Sequence, residues 1–337
     1  MPLGRPSSSR IAPASCVFLA VAVLCAVLFG GCRSTQEASY QTPPPPPTGA
    51  YQYPDQGNAA SAALQIPGTS YPGTVEPAQP MPILSPRTAE APGGTTPSIT
   101  AKAAILVDVS GRVLFEKNAD ARLPTASTQK LLLALMVVER GNLGAPVTIQ
   151  ESDTWAEPTV MGLKTGQVYA REELLRAVLI RSCNDIARAL ARDHSGSESA
   201  FVANLNAKAR QLGMDSSYFT NSNGLPNPPG QYSTARDLAR LGVASFRNPT
   251  IRSITSTRSY VFRMADGTPK TLTNTNQVLR SFPYCNGLKT GYTSAAGRCL
   301  VSSATANGRS VVAVILGSSS PTVWQESEAL LRYGLGM

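Results

Sequence analysis

The chain has one histidine among its 337 residues, and this scarcity limits the hydrolytic chemistry open to it. A serine hydroxyl is a poor nucleophile at neutral pH and usually relies on a histidine oriented by a carboxylate. The one histidine, His194, lies where an apolar-periodic segment gives way to Ser195 and Gly196, which predicts a cation at a helix end. A catalytic zinc site needs about three His or carboxylate ligands, and one histidine cannot anchor such a site. The sequence therefore favours neither a histidine-based triad nor a metal site.

A second absence concerns nucleic acid. The chain has no basic run interleaved with aromatic residues, so we expect no nucleic-acid partner. The net charge is +9, and residues 1–31 contain Arg5 and Arg10 but no acidic residue. A basic protein suits anionic surroundings such as cell-wall polymers or lipid head groups.

The first 31 residues have the layout of a signal peptide, with two arginines followed by an apolar stretch over residues 14–29. The stretch ends in Leu28-Phe29-Gly30-Gly31-Cys32, which resembles a lipobox except that Phe29 stands where leucine is usual. We therefore predict lipidation of Cys32 and a membrane-anchored, exported protein. Ordinary signal cleavage nearby and an uncleaved anchor helix are the alternatives.

Residues 32–98 are rich in Pro, Gly, Ser, Thr, Gln and Tyr, including a run of five prolines at 43–47. Such a segment cannot bury enough apolar surface to offset its ordering entropy. The composition predicts a disordered, partly extended linker that holds a catalytic domain, residues 99–337, away from the membrane.

Ser127 and Lys130 are three residues apart, directly before the apolar run of residues 131–138. The run predicts a buried helix. Residues three apart share a helix face and lie about 5 to 6 Å apart, so both side chains would enter the same space. Burying a charged lysine costs free energy, which suggests a functional role for Lys130. A buried lysine with a lowered pKa can serve as a base.

Two further polar triplets accompany this pair. Ser182-Cys183-Asn184 lies between two segments of helical period, and Lys289-Thr290-Gly291 begins a strand-like hairpin, with the lysine on an edge. The triplet Lys164-Thr165-Gly166 matches the third motif as well, but an acidic helix start follows it at once. We interpret that second match as a loop turn.

Together these motifs resemble those of the low-molecular-mass penicillin-binding proteins, the serine D-alanyl-D-alanine carboxypeptidases of the β-lactamase-like superfamily. The segments around Ser127, residues 221–225, 232–238 and 287–300 resemble the blocks of that family and follow its order. The resemblance covers roughly residues 100–335.

The predicted fold is α+β, with an antiparallel sheet flanked by helices, a helical subdomain, and the active site in the cleft between them. Strand-like residues 103–109 and 112–116 precede the nucleophile helix, and 298–304 and 310–316 follow the third motif. Residues 195–198 have the pattern of a capping box, which predicts a helix over residues 201–212.

The resemblance implies a mechanism without cofactor or metal, in which Lys130 takes a proton from Ser127 and Ser182 passes one to the leaving amine. Asn184 would orient the substrate amide and Lys130. Backbone N–H groups of Ser127 and Tyr292 would hold the oxyanion. The substrate carboxylate would be bound by the third-motif region, Lys289, Thr290, Gly291 and Thr293. We expect Lys289 to lie near solvent and stay charged. The implied partners are peptidoglycan stem peptides and β-lactam antibiotics.

Four functions remain open on sequence grounds. The first two are a D,D-carboxypeptidase and a D,D-endopeptidase, which the motifs do not separate. The third is a β-lactamase, which in class A uses a Glu-x-x-Asn sequence after the second motif. Glu198 is the one glutamate between Ser182 and Lys289, and Ser199-Ala200-Phe201 follows it, so that sequence is absent. A non-catalytic penicillin-sensing, wall-binding domain is the fourth.

Two departures from the family accompany the match. Cys183 stands where a smaller residue is usual, so we expect its thiol to narrow the cleft or to be open to oxidation. The chain ends at Met337, soon after the last helix-like segment, and we expect no C-terminal β-domain.

Cys285 and Cys299 flank the predicted hairpin, and whether they pair is left open.

Overall fold

The computed structural model describes residues 94–337. Cys32, the predicted signal peptide and nearly all of the predicted linker lie outside the described residues. Within residues 94–337, no helix combines the length and the apolar character that crossing a membrane requires.

A five-stranded antiparallel sheet forms the centre of the fold, with strand order β2-β1-β9-β8-β7. The four predicted terminal strands are confirmed, with the first two within one residue of the expected bounds and the last two longer than expected by one or two residues at each end. The strands are β1 Ala103–Asp108, β2 Val113–Lys117, β7 Cys285–Thr293, β8 Gly297–Ala306 and β9 Arg309–Ser318. Strands near both ends of the described chain therefore meet in one sheet.

Alternate residues of the sheet belong to two different hydrophobic clusters, as the two-residue period of a strand requires. Ile105 packs with the cluster that contains most of the helices, whereas its neighbour Leu106 packs with the last helix. That helix is α8, Thr322–Leu335. The domain is thus a sheet covered on both faces, which is the predicted α+β architecture.

The larger helical layer contains α1 Lys130–Arg140, α2 Arg171–Ile180, α3 Asn184–Ser195, α4 Glu198–Gln211, α5 Ala235–Arg247 and α6 Pro249–Thr255. Two small hairpins, β3 Pro146–Thr148 with β4 Val168–Ala170 and β5 Ser259–Arg263 with β6 Pro269–Thr273, accompany it. A short helix, α7 Val278–Ser281, precedes β7.

Helix α1 passes through the middle of this layer, and every residue from 130 to 138 is buried. Each fully buried leucine contributes about 2 kcal/mol of hydrophobic free energy, so the leucine-rich run fixes α1 firmly. The helix α4 begins one residue after Ser197, whose hydroxyl accepts a hydrogen bond from the Ala200 N–H. The predicted capping position, Ser195, is therefore wrong by two residues.

Candidate active site

The first motif folds as a 3-10 turn, Ala126–Gln129, that leads directly into α1. Lys130 is the first residue of α1, and its Nζ lies 2.7 Å from Ser127 Oγ. Ala126, directly before the serine, has a φ of 48°, a backbone conformation that a residue with a Cβ rarely adopts. Such positions occur where the surrounding structure over-determines a functional geometry.

Lys130 has two further polar neighbours besides the serine. Its Nζ donates to Asn184 Oδ1 at 2.6 Å and to the Asn223 carbonyl oxygen at 2.7 Å. A neutral amine has two N–H bonds and one lone pair. If the two N–H bonds go to these oxygens, the lone pair is directed at the Ser127 hydroxyl. The geometry therefore suits a base that accepts the serine proton.

Burial lowers the pKa of Lys130 well below its usual value, and the positive charge of Lys289 lowers it further. The side chain is 0% exposed, and an ammonium loses its hydration in such a place. Both effects favour the neutral amine. Lys130 thus has the electrostatic environment that a general base needs near neutral pH.

The second motif joins α2 to α3, as the sequence predicts. Asn184 is the first residue of α3 and is held from the other side, because its Nδ2 donates to the Pro158 carbonyl oxygen. Ser182 has a φ of 72° and is 9% exposed. A non-glycine residue in this region costs about 1 to 2 kcal/mol. The junction thereby holds the Ser182 hydroxyl at the edge of the cavity.

Cys183 does not behave as expected. Its side chain is fully buried and is not part of the cavity wall, so the thiol neither narrows the cleft nor meets solvent. Burial, together with the nearby Asp185, raises the pKa of Cys183 to about 12. A protonated, buried thiol is inert.

The third motif lies on β7, one of the two edge strands of the sheet. The expectation that Lys289 lies near solvent is wrong, because its side chain is 0% exposed and its Nζ donates to the Thr290 carbonyl oxygen at 2.8 Å. Burial lowers the pKa of Lys289 to about 7. In the ligand-free protein, Lys289 is therefore only partly charged at neutral pH.

Two glycines allow the three motifs to come together. A Cβ at Gly291 would lie 2.8 Å from the Thr125 carbonyl oxygen and 3.0 Å from the Ser127 nitrogen. A Cβ at Gly224 would lie 2.2 Å from the Ala126 carbonyl oxygen. Only glycine permits such close approaches, so β7 and the 221–225 loop both contact the nucleophile turn directly.

A cavity of about 260 Å³ opens where these segments meet. Its walls include most of the predicted site residues, namely Ser127, Ser182, Asn184, Thr290, Gly291, Tyr292 and Thr293. Lys130 and Lys289 are buried behind this wall. The cleft lies between the sheet and the helical layer, where the sequence predicts the active site.

Three residues of the site were given no role from the sequence, although Asn223 and Arg298 lie in segments that resemble blocks of the family. The main-chain oxygen of Asn223 accepts from Lys130 and also from Ser127 Oγ at 3.2 Å. The Thr275 hydroxyl lies 2.7 Å from the Thr290 hydroxyl. The Arg298 guanidinium lies 4.5 Å from the centre of the Tyr292 ring. Thr275 and Arg298 both line the cavity.

Other candidates lie away from the cleft. Lys164 is exposed in a turn before β4, in agreement with the interpretation of its triplet as a loop. His194 lies in the last turn of α3, so its predicted position at a helix end is confirmed. Burial and the charge of Arg140 lower its pKa, which disfavours the cationic form. Glu198 accepts a hydrogen bond from Ser222 Oγ and pairs with Arg188.

The three cysteines of the described residues, Cys183, Cys285 and Cys299, are free and buried. Cys285 pairs in register with Ala304, and Cys299 with Gly291. The two hairpin cysteines therefore occupy separate positions along β7 and β8 and form no disulfide.

Comparison with known proteins places the chain in a peptidase family described as D-alanyl-D-alanine carboxypeptidase, whose model matches residues 88–320. A D-alanyl-D-alanine carboxypeptidase of Mycobacterium tuberculosis, DacB2, is 36% identical over 233 residues, which is 68% of this chain and 79% of the relative. A D-alanyl-D-alanine endopeptidase of Escherichia coli is 32% identical over 238 residues, with coverages of 68% and 75%.

The fold agrees with these relatives. A crystal structure of a D-alanyl-D-alanine carboxypeptidase from Mycobacterium tuberculosis superposes with a TM-score of 0.69 at 33% identity, and the match covers 74% of this chain and 97% of that one. The matches to carboxypeptidases of Bacillus subtilis and Escherichia coli span 58% and 62% of the lengths of those proteins.

Proposed function

Since the chain belongs to the D-alanyl-D-alanine carboxypeptidase family, we propose that it removes the terminal D-Ala from peptidoglycan stem pentapeptides through an acyl-enzyme on Ser127. The observation that carries this proposal is the 2.7 Å contact between Ser127 Oγ and the buried Nζ of Lys130. β-Lactams would acylate the same serine.

Acylation begins when the neutral Lys130 takes the Ser127 proton and Ser127 Oγ attacks the carbonyl carbon of the penultimate D-Ala. The peptide bond then breaks, and Ser182 passes a proton to the departing amine. Water attacks the resulting ester, releases the shortened peptide and restores the Ser127 hydroxyl. General acid–base help of this kind typically contributes about 10² to 10⁴ in rate.

Asn184 orients both the substrate amide and Lys130 in this mechanism. The backbone N–H groups of Ser127 and Tyr292 hold the oxyanion. Their proximity is supported by the close approach of Gly291 to the Ser127 nitrogen. Loss of one donor in such a hole costs about 10² to 10³ in rate.

The substrate carboxylate binds where Thr290 and Thr293 line the cleft. Lys289 contributes a positive charge once a carboxylate arrives, because an anion nearby favours the ammonium form. Arg298, which lines the same cavity, adds a guanidinium suited to carboxylate binding. A substrate without the terminal carboxylate should therefore bind poorly.

The decisive experiment is digestion of purified pentapeptide muropeptides, with mass analysis for loss of one D-Ala. Ser127→Ala and Ser182→Ala should abolish or severely reduce D-Ala release, and Ser127→Ala should also abolish covalent labelling by benzylpenicillin. Ser253→Ala is the matched control, because Ser253 is exposed on α6 away from the cavity. Labelling that survives Ser127→Ala, or wild-type protein that releases no D-Ala, would contradict the proposal.

We also propose that the protein is exported and anchored to a membrane through lipid on Cys32, with residues 32–98 as the spacer. The support is the apolar stretch that ends in Gly30-Gly31-Cys32. One acyl chain gives only marginal anchorage, so the mature cysteine would carry more than one. Cys32→Ala should release the protein from membranes and leave benzylpenicillin labelling unchanged, with Cys25→Ala as control. An unmodified N-terminus at another residue would overturn this anchor.

A further inference from the structure

The two oxygens that accept hydrogen bonds from Lys130, other than that of Ser127, come from different parts of the chain. Asn184 Oδ1, on the first residue of α3, lies 2.6 Å from Lys130 Nζ, and the main-chain oxygen of Asn223 lies 2.7 Å from it. The lone pair of the neutral amine is directed at Ser127 only while both acceptors keep their places. The separation of α3 and the 221–225 loop therefore affects how well Lys130 can serve as a base.

The orientation of the Asn223 carbonyl group is set within the loop itself. The Gly224 N–H, which belongs to the same peptide group, donates to Asn221 Oδ1 at 2.7 Å. The Asn223 N–H donates to the same oxygen at 3.2 Å. These bonds orient the peptide group relative to Asn221, but the position of the loop relative to α3 requires a contact between the two elements.

A bridge through Glu198 provides that contact. Glu198 is the first residue of α4, and its Oε1 accepts a hydrogen bond of 2.7 Å from the hydroxyl of Ser222. Its Oε2 lies 3.1 Å from the guanidinium of Arg188. Arg188 lies four residues after Asn184 on α3, and residues four apart share a face of a helix. One carboxylate thus contacts both elements that carry the acceptors of Lys130.

The bridge is more firmly held than an ordinary surface ion pair. Ser222 is 0% exposed, and a buried hydroxyl without a partner would cost free energy. Hydrogen bonds to a carboxylate are roughly twice as strong as those between neutral groups. The helix dipole also favours a carboxylate in the first turn of α4. Glu198 therefore has three separate interactions that keep it in place.

We propose that Glu198 is a positioning residue, which with Arg188 and Ser222 holds α3 and the 221–225 loop at the separation that directs the Lys130 lone pair at Ser127. The inference rests on the proposed function, because it concerns the base of the same acylation step. Glu198 does not form part of the cleft wall. Its loss should therefore slow the chemical step and leave ligand binding unchanged.

The test separates the acylation rate constant at saturating benzylpenicillin from the dissociation constant of the complex that precedes acylation. Glu198→Ala should lower the rate constant about tenfold to a hundredfold, since a misplacement of about 1 Å can cost about 10² in rate, and leave the dissociation constant unchanged. Glu198→Gln keeps an acceptor for the Ser222 hydroxyl and loses only the charge of a partly exposed pair, so its rate constant should fall less than about fivefold. The double variant Glu198→Ala/Ser222→Ala should be no slower than Glu198→Ala, because both changes remove the same hydrogen bond.

Glu139→Ala is the matched control. Glu139 lies near the end of α1 that is remote from Lys130, and its carboxylate lies 2.7 Å from Lys208 Nζ on α4. The control variant therefore also removes a carboxylate that links α4 to a neighbouring helix. It should be acylated at the wild-type rate, and melting temperatures report how much stability each variant has lost.

The outcomes distinguish the inference from the proposed function. A Glu198→Ala protein that is acylated at the wild-type rate, or that only binds penicillin more weakly, would overturn the positioning role. An equal loss of rate in Glu139→Ala would do the same, because stability would then explain the effect. If Glu198→Ala does not fold, Ser222→Ala removes the same hydrogen bond from the other side and takes its place. Wild-type protein that benzylpenicillin does not acylate would instead overturn the proposed function.

Discussion

Asn184 Oδ1 accepts a hydrogen bond of 2.6 Å from Lys130 Nζ, and this contact ties the α2–α3 junction to the nucleophile helix. The amide oxygen is uncharged, so it positions the amine without the strong stabilisation of the ammonium form that a carboxylate would give. An asparagine at this position therefore leaves Lys130 easier to deprotonate than an aspartate would.

Replacing that amide by a carboxylate should move the pH profile. In Asn184→Asp, a negative charge beside Lys130 favours the ammonium and raises the pKa of the lysine. We expect the pH dependence of benzylpenicillin acylation to shift upward by at least about one unit, and acylation at pH 7 to slow correspondingly. Asn204→Asp, on the exposed face of α4, is the control. An unshifted profile would show that the titrating base is not Lys130.

Lys130→Arg should be inert towards benzylpenicillin. A guanidinium stays protonated at any practical pH, so it cannot take the Ser127 proton, and we expect acylation to slow by about 10³-fold or more. The measurement is the time course of labelling with a fluorescent penicillin, with the melting temperature as a check on folding. Lys164→Arg makes the same change in the exposed triplet and should label normally. A rapidly labelled Lys130→Arg protein would exclude the lysine as base.

Binding of a substrate carboxylate should be accompanied by proton uptake above pH 7. The pKa of Lys289 is about 7 in the free protein, and a bound anion raises it. At pH 8, Ser127→Ala protein that binds a D-Ala-D-Ala peptide should therefore take up as much as about one proton, whereas uptake at pH 6 should be small, because Lys289 is already protonated there. Calorimetry in buffers of different ionisation enthalpy measures the uptake.

Lys289→Ala in the same Ser127→Ala background should lose this uptake. Equal proton uptake at pH 6 and pH 8 would show that Lys289 is not the group linked to the carboxylate.

Gly291→Ala should disrupt the contact between β7 and the nucleophile turn. The new methyl group would lie 2.8 Å from the Thr125 carbonyl oxygen and 3.0 Å from the Ser127 nitrogen, so the strand must move away from Ser127. We expect acylation to slow at least about tenfold and stability to fall by about 1 to 3 kcal/mol. Gly144→Ala is the control, since nothing lies within 4 Å of a Cβ there. Urea unfolding and penicillin labelling measure both effects.

The parts of the site that depend on local spacing could be predicted from the sequence. Ser127 and Lys130 are three residues apart on one turn, and the buried run after them identifies the helix. The position of Ser182 and Asn184 between two helical segments likewise follows from periodicity and helix signals. Their roles rest on the family resemblance, because a polar triplet at such a junction is usually a cap or a turn.

The parts that depend on long-range contacts could not be predicted. Asn223 contributes a main-chain oxygen, and a carbonyl is the same in every residue. Arg298 reaches the cleft because β8 pairs with β7 opposite Tyr292, and such a register is not visible without the structure. The burial of Lys289 could not be predicted for a related reason. A position on an edge strand suggests exposure, but helices and the nucleophile turn cover β7 at this position.

The position of β9 determines when the domain can form. Strand β1 pairs with β9 from Ala103↔Leu316 to Asp108↔Val311, and α8 then covers the far face of the sheet. The partner of β1 in this pair, β9, therefore lies about 200 residues later in the chain. Pairing between strands so far apart in sequence is slow. During synthesis from the amino end, the sheet is incomplete until its last strand has emerged. The cleft, whose third motif lies on a strand of that sheet, is therefore completed only when the carboxyl-terminal strands have paired.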